Sequence, residues 1–429
     1  MQTFNKRVRA LLFAACVGLL CCQSAAHAQT PAEAPASKDD DPELVCDTDE
    51  CDAKPLAKEK EAAAQPQPRI PDEALDAPDD GFHPLRRLLA NKVKINFLDH
   101  TITLGASGRI SQAVLWGDNQ EDTKLFWVDN NSSSTRINGT ADLPLSEQLR
   151  IGVRTKLPLI VNSSIDVNFD NRSSDNASDQ FGESEFDFYL AHSDYGRISI
   201  GQGYTASNGT SESDLSGLTV ISRSRVRDLA GGLSFGDDGP RIRNVFSNYD
   251  GLGDKIRVRY DTPRVRNVLI STSLTDDGEY DIALKWEKRQ ETWRAAAAAS
   301  LVDRDGGDEQ ASLSFSVLFE NGFNMSAAVA GRHSDERDPF LLYAKAGWLV
   351  SPFEIGATAF GVDAAYNDSV DSDGDEAWSV GAFAVQTIDR KGLIYSVDLY
   401  AGLRLYHLET DTYEYDNIFA SMTGIRIRF

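Results

Sequence analysis

Five basic residues recur at strand spacing in the first part of the chain: Arg109, Arg136, Arg150, Arg154 and Lys156. In an extended strand every second side chain shares a face. Arg150, Arg154 and Lys156 therefore stand on one side of their segment, and Leu149, Ile151 and Val153 on the other. A row of fixed cations on a wetted face attracts anions and orients dipolar solutes. Glu212, Asp214, Asp228, Asp237 and Asp238 lie on a long segment, about 203–254, and can face that row to set up a transverse field. The same segment carries Arg223, Arg225, Arg227, Arg241 and Arg243, so the sign of any ion preference is not legible.

Bond-making chemistry has little to rest on. His192 and His333 are the places to look for a base beside a serine, but nothing links nucleophile to base, and no enzyme is expected. Asp371-Ser-Asp-Gly-Asp-Glu has oxygens enough for calcium but lacks the twelve-residue ligand spacing, and reads as a solvated acidic loop tip. Cys46 and Cys51 are either a local disulfide or two inert thiols, since the acids around them offer no further soft ligand for zinc. Neither metal nor cofactor is expected.

The start of the chain reads as an export signal over 1–28: Lys6, Arg7 and Arg9, then an apolar stretch from Ala10 to Leu20, then Ala26-His27-Ala28 before Gln29. That stretch is too short for a membrane helix, which needs about 20 residues. A lipid-anchored cysteine at Cys21 or Cys22 is disfavoured, because Leu or Cys precedes it. From Gln29 to Pro84 the chain holds nine of its 15 prolines and 16 acidic against five basic residues. Such a segment, taken as 29–90, is expected to be disordered, a periplasmic spacer or a leader with no specific partner. The formal net charge of -23 argues against nucleic acid as a partner.

Residues 91–429 alternate apolar and polar side chains with period two. Sixteen strands are expected, at 101–115, 135–143, 148–161, 183–192, 196–202, 255–262, 267–275, 279–288, 292–303, 309–320, 323–333, 340–350, 353–365, 376–388, 392–408 and 416–429. A seventeenth apolar run, Pro240 to Asn248, is assigned to the long third connection so that the strand number is even and both ends lie on one side. Connections are alternately tight, as at Ser146-Glu147 or Asn321-Gly322, and longer and acidic, as over 117–134, 162–182, 366–375 and 409–415.

A soluble sandwich would bury the apolar faces and fill its core with aliphatic residues. Here the opposite faces carry Arg, Asp and Glu on nearly every strand, too many charges for a dry core. The charged face must be wet and the apolar face must meet lipid: an all-β, transmembrane antiparallel barrel of 16 strands. The last strand agrees. Phe419, Thr423, Ile425, Ile427 and Phe429 face one way, Met422, Arg426 and Arg428 the other, and the terminal aromatic closes the run.

Taken together, Thr135-Arg-Ile-Asn-Gly after a serine run, Tyr195-Gly-Arg-Ile-Ser-Ile-Gly-Gln before the long third loop, Val258-Arg-Tyr-Asp-Thr-Pro after it and the terminal Phe429 resemble the Gram-negative general porins of proteobacteria. The acidic tail and the length of the third loop depart from that pattern. The resemblance implies a homotrimer in the outer membrane, in contact with lipid and lipopolysaccharide. It also implies insertion by the barrel assembly machinery with Phe429 as its signal, and passive diffusion of small hydrophilic solutes and ions past the inward-folded third loop. A substrate-selective channel for anions, or a structural envelope barrel, are the other readings.

Overall fold

The structure, a computed structural model, describes residues 93–97, 100–173, 184–389 and 395–429. The expected signal over 1–28, the acidic segment over 29–90 and the cysteines Cys46 and Cys51 lie outside these residues. Among the described residues no helix is long and apolar enough to cross a membrane.

Eighteen strand segments follow one another: β1 Val93–Phe97, β2 His100–Asp118, β3 Thr123–Asp129, β4 Arg136–Pro144, β5 Leu149–Pro158, β6 Glu185–His192, β7 Gly196–Tyr204, β8 Asp254–Asp261, β9 Val268–Thr275, β10 Tyr280–Arg289, β11 Trp293–Asp303, β12 Glu309–Phe319, β13 Phe323–His333, β14 Phe340–Phe353, β15 Gly356–Asp368, β16 Glu376–Ile388, β17 Ser396–Glu409 and β18 Ile418–Arg428. They make a closed ring of 16 positions, in which each strand pairs antiparallel with its neighbour and β18 returns to β2. Two segments explain the difference in count. Along one edge β2 pairs with β3 from Gln112 to Asp118 and with β4 from Thr103 to Arg109, so β3 and β4 are one strand interrupted by a short turn around Asn131–Ser133. Along its other edge β2 pairs with β18 and then, where β18 ends, with β1 from His100 to Leu104.

Two expectations need correction. The connection placed at 117–134 is mostly strand, and the chain turns between Asp118 and Thr123. The cause is a face that breaks the two-residue rhythm: Leu125 and Trp127 are exposed outward, while Phe126 and Val128 are buried inward. The strand Val93–Phe97 also lies ahead of the first expected strand, at 101–115. The run 240–248 is not a strand; it holds a single helical turn, Ile242–Val245, inside the third loop.

The outside of the ring is a belt of exposed apolar side chains, among them Phe186, Phe188, Ile198, Ile200, Trp348 and Phe360. Soluble monomers rarely leave so many large apolar side chains together in water.

The inside is less wet than the alternation implies. The third loop, Thr205 to Gly253, folds into the barrel and brings Leu215, Leu218, Leu233, Phe235, Ile242 and Phe246 into one core with inward residues of the wall such as Leu341, Phe383, Tyr406 and Met422. Fully burying a Leu or Phe contributes roughly 1.5–3 kcal/mol, so this packing fixes the loop's course. Polar wall residues complete the seat. Ser314 and Ser316 on β12 accept the N–H groups of Ser213 and Leu215 at 3.0 and 2.9 Å. The Nδ2 of Asn367 donates to the Ser247 carbonyl at 2.7 Å, and the Tyr406 hydroxyl to the Val226 carbonyl at 2.9 Å. Loop backbone inside the barrel thus finds the partners it needs away from water.

Candidate functional site

Charge gathers on the inner wall of β2 and β4–β8. Register places Arg428, Arg109 and Arg136 side by side across β18, β2 and β4. Arg109 is buried, its Nε donating to the Ser134 carbonyl at 2.9 Å. Arg136 is half-buried, and Arg150, nearer the short turns, is exposed.

One strand pair further round, Arg154 stands opposite Asp187, Asp187 opposite Gly201, and Gly201 opposite Arg257. Gly201 has no side chain to block the way, and a Cβ there would lie 2.2 Å from the Phe186 carbonyl oxygen. Arg257 reaches over it to Asp187 at 2.9 Å, while Arg154 approaches from the other side at 2.9 Å and Arg197 from below at 3.6 Å. Three guanidinium groups therefore converge on one buried carboxylate. Arg259 binds Asp261 with two donors at 2.9 and 2.8 Å. Lys156 sits between Glu185 at 2.5 Å and Asp254 at 3.2 Å, with the Tyr204 hydroxyl at 2.9 Å.

The loop acids are engaged differently. Glu212 lies near Arg223 at 3.4 Å and Arg225 at 3.5 Å and accepts from Asn248 at 2.8 Å. Burial alone would raise its carboxyl, but Arg225 and Arg223 hold it below the usual range. Asp228 is buried and accepts from Asn131 Nδ2 at 2.9 Å; desolvation raises its pKa despite Arg225. Asp214 pairs with Lys345 of the opposite wall. Asp237 and Asp238 are exposed at a tip where Asn119 donates to the Ser234 carbonyl at 3.2 Å. Only Glu212 and Asp228 share a cluster, with Arg225 between them.

Arg197, Arg257, Arg259, Asp187 and Asp261 were missed as site residues. Strand phase alone, extended across β6–β8, would have placed all five on the inner face. His192 and His333 have local ring partners: His192 Nδ1 accepts from the Asp194 N–H at 3.1 Å, and His333 Nδ1 lies 2.5 Å from Asp338. Among the described residues no group of His, Cys, Asp and Glu is arranged to hold a metal. In the segment 371–376, Asp375 accepts backbone N–H groups of Asp371 and Ser372 at 2.9 and 3.3 Å.

A family model described as Gram-negative porin matches residues 101–409, nearly the whole barrel. The chain belongs to this family. The porin therefore lies in the outer membrane and forms a water-filled channel for small hydrophilic solutes and ions; its family comprises channels. Among solved structures it is similar to an anion-selective porin from Comamonas acidovorans, with 13% identity, 76% of this chain and 100% of that chain covered, and a TM-score of 0.54. It is also similar to the outer membrane channel DcaP of Acinetobacter baumannii, with 10% identity, coverage of 76% and 97% and a TM-score of 0.49. Similarity to Salmonella typhi OmpF reaches 12% identity, coverage of 79% and 100% and a TM-score of 0.45. No curated protein matches the sequence. At 13% identity, the likeness to the Comamonas acidovorans porin speaks for the shared barrel alone.

Proposed function

We propose that solutes cross this porin by passive diffusion along the arginine-bearing wall of β2 and β4–β8, and that the channel favours anions. The observation that carries this reading is the convergence of Arg154, Arg197 and Arg257 on Asp187, beside the inward Arg136 and the exposed Arg150. The loop carboxylates Glu212 and Asp214 are engaged by Arg223, Arg225 and Lys345 and offer less free charge to a passing ion. A polar wall in a low-dielectric barrel focuses field, so a modest excess of one sign is enough to bias permeation.

The working assembly is a homotrimer. Strands β6, β8 and β9 have 8 residues each, whereas β14 and β17 have 14. A bilayer-spanning strand takes about 9–11 residues, so the short side, with Phe186, Phe188, Ile200 and Val258 outward, is better covered by another copy than by lipid. Reversal potentials across a tenfold KCl gradient test the selectivity, with an anion-directed sign expected and a cation-directed sign contradicting it. Crosslinking in native membranes tests the trimer, and a product no larger than one chain would refute it.

A further inference from the structure

At the end of the barrel opposite the short turns lies a cavity of about 510 Å³, bounded by the C-terminal half of the third loop and by the connections 304–308 and 334–339. Its walls are unlike the paired wall described above. Arg227 projects from the loop and donates to the Arg243 carbonyl at 3.3 Å, and among the described residues no carboxylate lies within 4 Å of it. Burial and the neighbouring Arg225 outweigh the Asp228 carboxylate and lower the pKa of Arg227, so an anion beside it would favour the charged form. Arg332 enters the same cavity from the end of β13, with its guanidinium 5.9 Å from the centre of the Tyr249 ring. Its Nε is buried and has no acceptor among the described residues, and its one carboxylate, Asp308, stands at the limit of ion pairing, 4.0 Å. The remaining acids of the cavity, Asp335 and Glu336, are exposed on its rim. Ser247 and Asn244 add polar atoms to the lining.

We propose that this cavity binds small dianions, phosphate or short dicarboxylates, between Arg227 and Arg332, and gathers them at the mouth before they enter the channel. The proposal rests on the channel reading above and adds a site to it. A guanidinium is a planar fork that meets carboxylate or phosphate oxygens with two parallel hydrogen bonds, and two under-compensated forks match a charge of two better than chloride does. The volume falls in the range of small-molecule sites, about 300–1,000 Å³, so a dianion bearing an organic substituent also fits. The rim carboxylates work against anion entry, and binding is therefore expected to be weak enough for release into the lumen.

Isothermal titration of the folded, detergent-solubilised full chain with potassium phosphate and with potassium succinate, against potassium chloride as reference, tests this. Saturable binding of at least one dianion is expected, weakened at least tenfold in Arg227→Gln/Arg332→Gln. It is expected to be strengthened in Asp335→Asn/Glu336→Gln, a variant on exposed positions that preserves the test if the arginine variant misfolds. Succinate without phosphate, or the reverse, tells which dianion the site takes. Binding of neither dianion, or binding indifferent to both variants, overturns the site. Bilayer conductance measured on the same preparation separates the two readings: conductance without dianion binding removes the site alone, and binding without conductance removes the channel reading.

Discussion

Gly108 and Phe429 exchange both backbone hydrogen bonds, Gly108 N–H to the Phe429 carbonyl at 2.8 Å and Phe429 N–H to the Gly108 carbonyl at 3.0 Å, and this pair is the last rung that closes the barrel. The fit is close on the outer face. A Cβ on Gly108 would stand 2.8 Å from the Phe429 ring and 2.9 Å from the Arg136 carbonyl oxygen. Gly108→Ala is therefore expected to destabilise the barrel by about 1–3 kcal/mol, the usual cost of overpacking. Removal of Phe429 is expected to lower the yield of closed barrel. Urea titration of folding into detergent, followed by the electrophoretic shift of folded against unfolded chain, checks both.

Asp187 holds Arg154 and Arg257 at 2.9 Å each. Asp187→Asn leaves the buried Arg257 and the half-buried Arg154 with one counter-charge fewer, and breaking a buried pair from one side costs about 3–5 kcal/mol. Where the barrel still forms, the reversal potential is expected to move further toward anions. Denaturant midpoint and reversal potential, measured on one preparation, check the two effects together.

Arg150 offers the complementary case, since it is exposed and its replacement disturbs little packing. Arg150→Glu is expected to move the reversal potential toward cations with a stability change within about 0.5 kcal/mol. An unchanged reversal potential would place the ion path elsewhere.

Acid has two opposing effects on the third loop. Glu212 is held below its usual 4.5, so its contribution to loop stability is complete above that value and is lost as pH falls through the lower, folded-state value. Asp228 is raised by burial above 3.8, so its ionisation costs stability above the raised value, and the cost vanishes below 3.8. Glu212→Gln is therefore expected to remove an acid-induced loosening of the loop below pH 4.5, and Asp228→Asn to stabilise the loop at pH 7. Limited proteolysis of the loop against pH, in wild type and in each variant, reads both signs.

The barrel was legible because lipid and water impose opposite demands on alternate residues. That contrast survives in Phe186, Phe188 and Leu190 against Asp187, and in Ile425 against Arg426. It fails where the third loop replaces water. Phe126 and Val128 face the loop core, so β3 has apolar side chains on both faces and no period to read. The loop was legible only as a long connection. Its acids read as pore charge, whereas their partners come from residues far away in sequence, as with Asp214 and Lys345 or Asp228 and Asn131. Alternation puts Ser314 and Ser316 on the polar face of β12, but it cannot tell a serine that meets water from one that accepts a loop N–H.

The central claim is that the ring of strands surrounds a continuous aqueous path beside the packed loop. Single-channel recording of the purified chain in planar bilayers tests it most directly. Discrete current steps with a linear voltage dependence, and a conductance that rises in proportion to KCl concentration, are the predicted result. A folded, inserted barrel that passes no current at any salt concentration would contradict it.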